Sequence, residues 1–248
     1  MSKKIRLIIT RQDGPDGTPY KETFDLDYRP NMNVISALME IRRNPVNAEG
    51  KRVAPVAWEM SCLEEVCGAC SMVINGKARQ ACTALIDKLG DTITLEPMRT
   101  FPVVRDLIVN RDRMFDALKR VKAWIPIDGT YDLGPGPRMP ETERQWAYEL
   151  SKCMTCGVCL EVCPNVNSHS DFIGPQAVNQ VRLFNAHPTG AMNKHERLDA
   201  LMGPGGLEGC GNSQNCVQSC PKGIPLTTSI AFLNKEITRH AFRKWFYN

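Results

Sequence analysis

No run of apolar residues in this 248-residue chain approaches the ~18 that a membrane-spanning helix needs, so the chain is not expected to cross a bilayer by itself. Neither sign of charge dominates. Lys+Arg 31 against Asp+Glu 27 leaves a net charge of +4, spread evenly along the chain. Nucleic-acid binders usually carry a concentrated basic footprint, so no nucleic acid is expected as a partner. Hydrophobic residues at 42% and charged residues at 23% are ordinary for a folded protein and exclude intrinsic disorder. The start, Met1-Ser2-Lys3-Lys4-Ile5, is basic but has no apolar h-region, so no secretory signal is expected. Catalytic signatures are missing too. No Walker loop is present, and Gly203-Pro204-Gly205-Gly206 runs on to Glu208 where a dinucleotide fingerprint needs its last glycine. His169, His187, His195 and His240 form no metal-ligand pair at helical spacing, and each reads as a surface or packing residue. No catalytic residue is assigned, and no complete active site is expected in this chain alone.

The patterning predicts two regions. Residues 4–11 read as a strand, 12–19 as a turn and 22–28 as a second strand alternating Phe24, Leu26 and Tyr28 with polar residues. Val34, Leu38 and Ile41 then fall at helical spacing behind Asn31 and Asn33, either of which suits a cap. Ser71–Asn75, Gly76 and Lys77–Cys82 predict a hairpin, because Asn-Gly suits a type I′ turn, and 92–95 reads as a further strand. From Val104 to Trp124 the period becomes helical, with Leu107, Ile108, Phe115, Leu118 and Val121 on one face. Residues 125–140 are rich in Pro and Gly and read as a loop or linker. The expected fold is therefore α+β, with one domain over 1–105 and a helical one over 106–248.

What the chain does have is eleven cysteines. The count is odd, so disulfides cannot pair them all, and without a signal peptide the expected compartment is reducing. Cys62, Cys67 and Cys70, with Cys82 further on, follow the plant-ferredoxin spacing of a 2Fe–2S site. Gly68 lets the backbone approach, so that amide N–H groups can steady the negative sulfurs. A four-cysteine zinc site is the alternative, but zinc sites usually pair two short knuckles, and here one loop meets a distant ligand.

An internal repeat follows. Cys153, Cys156, Cys159 and Cys163-Pro164 recur 57 residues later as Cys210, Cys216 and Cys220-Pro221. In this bacterial-ferredoxin signature the fourth cysteine ligates the other cluster. Cys153, Cys156, Cys159 and Cys220 therefore make one 4Fe–4S site, and Cys163, Cys210 and Cys216 belong to the other. The counterpart of Cys156 is Ser213. A serine hydroxyl is a poor iron ligand, because it must lose a proton far from its normal pKa. Three thiolates predict a 3Fe–4S cluster, with Ser213 at the vacant fourth position. The groups of four, four and three use every cysteine, and three redox centres without substrate chemistry describe a wire.

With Ser61–Cys70, Cys153–Pro164, Phe172-Ile-Gly-Pro175 and Asn215–Gly223, nearly the whole chain resembles the iron–sulfur subunits of succinate dehydrogenase and fumarate reductase. The resemblance implies a plant-ferredoxin-like β-grasp domain followed by an all-α bacterial-ferredoxin-like domain. It also implies a flavoprotein partner carrying FAD, which oxidises succinate, and a membrane anchor subunit holding the chain peripherally at the cytoplasmic face of the cell membrane. Many members have Arg and Gly where this chain has Leu63 and Glu65. Ubiquinone-reducing members place a Trp shortly after the first Cys-Pro and a His after the first ligand of the last group. Here those places hold Asn165–Ser168 and Gly211. The chain is therefore similar to the menaquinone-linked Gram-positive type, whose anchor carries haem b. Ligand spacing does not separate succinate oxidation from fumarate reduction. A soluble diffusing ferredoxin is the rival from another class, but it needs neither three clusters nor so long a Pro/Gly-rich segment.

Overall fold

The computed structural model describes residues 3–126 and 138–247. The chain divides into two compact units, Met1–Arg111 with Cys156–Glu161, and Asp112–Thr155 with Val162–Asn248.

In the first unit, β1 (Lys4–Arg11) alternates so that Ile5, Leu7 and Ile9 are buried on one face. It pairs antiparallel with β2 (Tyr20–Asp27), setting Leu7 opposite the buried Phe24. Helix α1 (Val34–Arg43) starts at Asn33 rather than Asn31. The Asn33 side chain accepts from Ser36 N at 2.8 Å, and Ser36 Oγ accepts from Asn33 N at 3.0 Å. Asn33 Nδ2 also donates to the Cys82 carbonyl at 2.9 Å. Asn33→Ala thus removes a cap and a tertiary bond, and about 2 kcal/mol of stability is expected to go, the upper part of the capping range. Urea unfolding followed by circular dichroism measures this, and a loss near zero would show that the cap is replaced by water.

Strands β3 (Ser71–Ile74) and β4 (Lys77–Gln80) form the expected hairpin, with Asn75 and Gly76 at φ 49° and 75° as a type I′ turn requires. Strand β5 (Thr92–Glu96) completes a sheet of order β2-β1-β5-β3-β4, in which only β1 and β5 are parallel. The inner face of this mixed sheet and one side of α1 form the core, including Leu7, Phe24, Leu38, Ile41, Ile74, Ile93 and Leu95.

The helix expected from Val104 begins later. Residues 103–109 instead form a small hairpin, β6 (Val103–Arg105) and β7 (Ile108–Val109), and α2 runs from Asp112 to Arg120. The reason is Asp106. Its backbone is left-handed at φ 47°, and its carboxylate is fully buried, accepting from Arg11 Nε at 2.9 Å and Ala57 N at 2.8 Å. The buried face of α2 is Met114 and Ala117, followed by Val121, while Phe115 is exposed. Most of the Pro/Gly-rich stretch expected at 125–140 lies outside the described residues.

The second unit is helical. Helix α3 spans Glu141–Ser151, and the short α4 (Val158–Glu161) belongs to the first unit. There follow α5 (Pro175–Ala186), α6 (Lys194–Met202), α7 (Asn215–Ser219) and α8 (Leu226–Tyr247). Helix α5 packs against α2, α3, α6 and α8, burying Ala177, Val178 and Val181. No helix among the described residues is long and apolar enough to cross a membrane.

Candidate iron–sulfur sites

The loop between Cys62 and Cys70 bends because Leu63, Glu65 and Gly68 all have left-handed backbones, at φ 62°, 56° and 73°. That turns amides inward. Glu64 N, Val66 N and Cys67 N donate to Cys62 Sγ at 3.4, 3.3 and 3.3 Å. These three N–H groups draw the Cys62 thiol down to about 7. Cys70 and Cys82 are buried at the base, at 4% and 5% exposure. Burial, and then the neighbouring Cys70, pushes Cys82 up to about 11. The four thiols thus form two pairs, Cys62 with Cys67 and Cys70 with Cys82, and Cys62 also lies in electrostatic range of Cys82. Two thiolates for each of two irons is the ligand set of a 2Fe–2S cluster, and the inward amides suit its negative sulfurs.

In the second unit, Cys163, Cys210 and Cys216 lie in mutual electrostatic range, and so do Cys153 and Cys220. Burial pushes the Cys153, Cys163 and Cys216 thiols up, opposed by N–H groups of Thr155 at Cys153, of Asn165 and Val166 at Cys163, and of Val217 at Cys216. The Gln180 side chain also lies near Cys153 and favours its charged form. Cys159 stands on α4 in the first unit, with Cys156 just before it.

The repeat is structural as well as sequential. Thr155 and Gly157 flank Cys156 with φ 51° and 87°, and Asn212 and Gln214 flank Ser213 with φ 52° and 64°. Helices α4 and α7 then start 57 residues apart. Ser213 is exposed at the tip of a loop with the same left-handed flanks as the one that carries Cys156. None of the eleven cysteines is in a disulfide. Among the described residues, no group of three or more Cys, His, Asp or Glu side chains is arranged to hold a single metal ion.

Several supporting residues carry no sequence motif. Arg111 donates to the carbonyls of Gly68 and Ala69 at 2.9 and 2.7 Å, strapping the loop between two candidate ligands. Gln80 Oε1 accepts from Cys70 Sγ at 3.5 Å, and its amide is fixed by Ser71 Oγ at 2.8 Å. Thr100 holds Glu161 on α4 through its N–H and hydroxyl at 2.9 and 2.8 Å. The histidines form no pair along one helix, but His195 of α6 meets His240 of α8, Nδ1 to Nδ1 at 3.2 Å, and His240 Nε2 lies 2.8 Å from Asp199. This is a packing contact, remote in sequence from every cysteine.

Residues 6–116 match a family model described as a 2Fe-2S iron-sulfur cluster binding domain, and residues 149–224 match a 4Fe-4S dicluster domain. The chain is 76% identical over 244 residues to the succinate dehydrogenase iron-sulfur subunit of Bacillus subtilis, covering 98% of this chain and 96% of that one. It is 28% identical to the fumarate reductase iron-sulfur subunit of Wolinella succinogenes, covering 96% and 98% of the two. A chain in the solved structure of the Mycobacterium smegmatis Sdh1 complex in the apo form shares the fold, with a TM-score of 0.78 at 24% identity over 98% of each chain. Both units thus carry the folds that the resemblance implied, and the chain belongs to the family of succinate dehydrogenase iron–sulfur subunits.

Proposed function

We propose that this electron-transfer subunit holds three clusters in series. Cys62, Cys67, Cys70 and Cys82 hold a 2Fe–2S cluster, Cys153, Cys156, Cys159 and Cys220 a 4Fe–4S cluster, and Cys163, Cys210 and Cys216 a 3Fe–4S cluster. Such clusters supply one-electron transfer at potentials set by burial, local charge and hydrogen bonds to sulfur. One observation supports this reading best: Cys163, Cys210 and Cys216, the three thiols expected at the site with one ligand missing, lie in mutual electrostatic range.

The chain's own residues prepare the sites. Thiols must ionise to bind iron, and the backbone N–H groups aimed at Cys62, Cys163 and Cys216 favour the charged form. Electrons enter from a flavoprotein subunit whose FAD oxidises succinate, and leave towards haem b and menaquinone in a membrane anchor. The chain is then peripheral to the cytoplasmic face of the cell membrane. Asn165 and Gly211 support the menaquinone reading. A Cβ at Gly211 would stand 2.9 Å from Asn165 Oδ1, so a histidine there would have to displace Asn165.

Electron paramagnetic resonance on the anaerobically purified complex, with iron counted in parallel, tests the cluster set. A three-iron signal in the oxidised sample, joined on reduction by 2Fe–2S and 4Fe–4S signals at about nine irons per chain, is expected. An oxidised sample silent for three-iron clusters would overturn the assignment of Cys163, Cys210 and Cys216.

A further inference from the structure

The loop over the first site is mostly exposed. Leu63, Glu64, Val66 and Cys67 all face solvent. Glu65 is the exception, and it pays for its position with a left-handed backbone at φ 56°. A residue with a Cβ loses about 1 kcal/mol or more there relative to glycine, so something must offset the strain. Two contacts do so, and both reach the segment that carries the distant cysteine. The Glu65 backbone N–H lies close enough to the Cys82 thiol to favour its charged form. The Glu65 carboxylate accepts from Thr83 Oγ at 2.8 Å. Glycine would supply the first contact without strain but not the second.

We infer that Glu65 is a positioning residue for Cys82, a clasp that closes the loop onto its fourth ligand and sets a fixed negative charge beside the site. This inference rests on the 2Fe–2S reading of that site. The geometry makes the clasp one of two holds on the loop. Arg111 grips the carbonyls of Gly68 and Ala69 on the Cys70 side. On the Cys62 side, among the described residues, Glu65 is the loop side chain that hydrogen-bonds to the segment bearing Cys82. Asn33 holds the same segment from behind, through the Cys82 carbonyl. The segment is thereby held at the Cys82 carbonyl by Asn33 and at Thr83 by Glu65.

Three variants of the intact complex separate the clasp's two effects. Thr83→Val breaks the side-chain bond and leaves the loop backbone and the charge in place. Its 2Fe–2S cluster is expected to be lost to a chelator about three to ten times faster than in the unaltered complex, the effect of one hydrogen bond of ordinary net strength. Glu65→Gln keeps an accepting oxygen for Thr83 and removes the charge. Its chelator rate is expected to stay close to that of the unaltered complex, while the midpoint potential of the 2Fe–2S cluster rises, because a nearby negative charge opposes reduction. Glu65→Gly relieves the backbone but removes both clasp and charge, so both readouts are expected to move. A potential unchanged in Glu65→Gln would remove the electrostatic part of the inference, and a chelator rate unchanged in both Thr83→Val and Glu65→Gly would remove the clasp. If the unaltered complex shows no 2Fe–2S signal on reduction, the site reading itself fails, and the clasp falls with it.

Discussion

Asp106→Ala is expected to destabilise the first unit by about 3–5 kcal/mol, because it leaves a fully buried guanidinium without its main partner. Both Arg11 and Asp106 have no exposed side-chain surface. The carboxylate takes Arg11 Nε and Nη2 at 2.9 and 3.1 Å, and also Gln12 N and Ala57 N at 3.2 and 2.8 Å. Arg11 in turn donates to Glu22 at 2.6 Å and to the carbonyls of Ala54 and Pro55 at 2.9 and 3.3 Å. The pair therefore satisfies backbone groups on both sides of the segment leading to Cys62. Many buried ion pairs can be replaced by apolar residues at little loss. This one is expected to resist, since Arg11→Met with Asp106→Leu would strand the N–H groups of Gln12 and Ala57, at about 1–3 kcal/mol for each group left buried and unpaired, while the carbonyls of the exposed Ala54 and Pro55 can turn to water. Thermal unfolding followed by circular dichroism measures both variants. For a chain of this size, each kcal/mol corresponds to about 2–4 °C. A double variant as stable as the parent would show that water or rearrangement serves those backbone groups, and that the ion pair does not organise the loop.

That network shows where the sequence stops being legible. Local signals carried far: the alternation in 4–11 became β1, Asn75-Gly76 became a type I′ turn, and the cysteine spacings led to the family. Each of these depends on residues a few positions apart, where period and turn chemistry act directly. The supports of the sites are different. Arg11 and Asp106 are 95 residues apart, Asn33 and Cys82 are 49 apart, and Arg111 reaches back 43 residues to Gly68. No periodicity announces such pairs, because the partner is supplied by the tertiary fold. The error at 104–111 has the same origin. Leu107 and Ile108 fit a helical stripe as well as they fit a hairpin, and what decides between them is a carboxylate that folding carries into the core. Phe115 differs for a related reason: its spacing fits the apolar stripe, but Met114 and Ala117 form the buried face instead.

Ser213→Cys is expected to change the cluster content itself. The backbone around Ser213 already repeats that around Cys156. Asn212 and Gln214 are left-handed on either side of Ser213, as Thr155 and Gly157 are around Cys156, and a helix carrying the next cysteine follows each loop. Replacing the hydroxyl by a thiol therefore asks for no new backbone conformation. It alters only the group offered to iron, from one that stays protonated at neutral pH to one that ionises readily beside a metal. The third site is then expected to take a fourth iron, bringing the total from about nine to about ten per chain, with loss of the three-iron signal from the oxidised complex. A cube has a different charge and potential from a three-iron cluster, so electron delivery to quinone is expected to fall even though the chain folds and its other two sites fill. Ser213→Ala is the control: if the hydroxyl is no ligand, its iron count and oxidised spectrum stay those of the parent. Should Ser213→Cys also leave both unchanged, the loop tip does not face the open corner of the cluster. The similarity between the two halves of the repeat would then stop at the backbone.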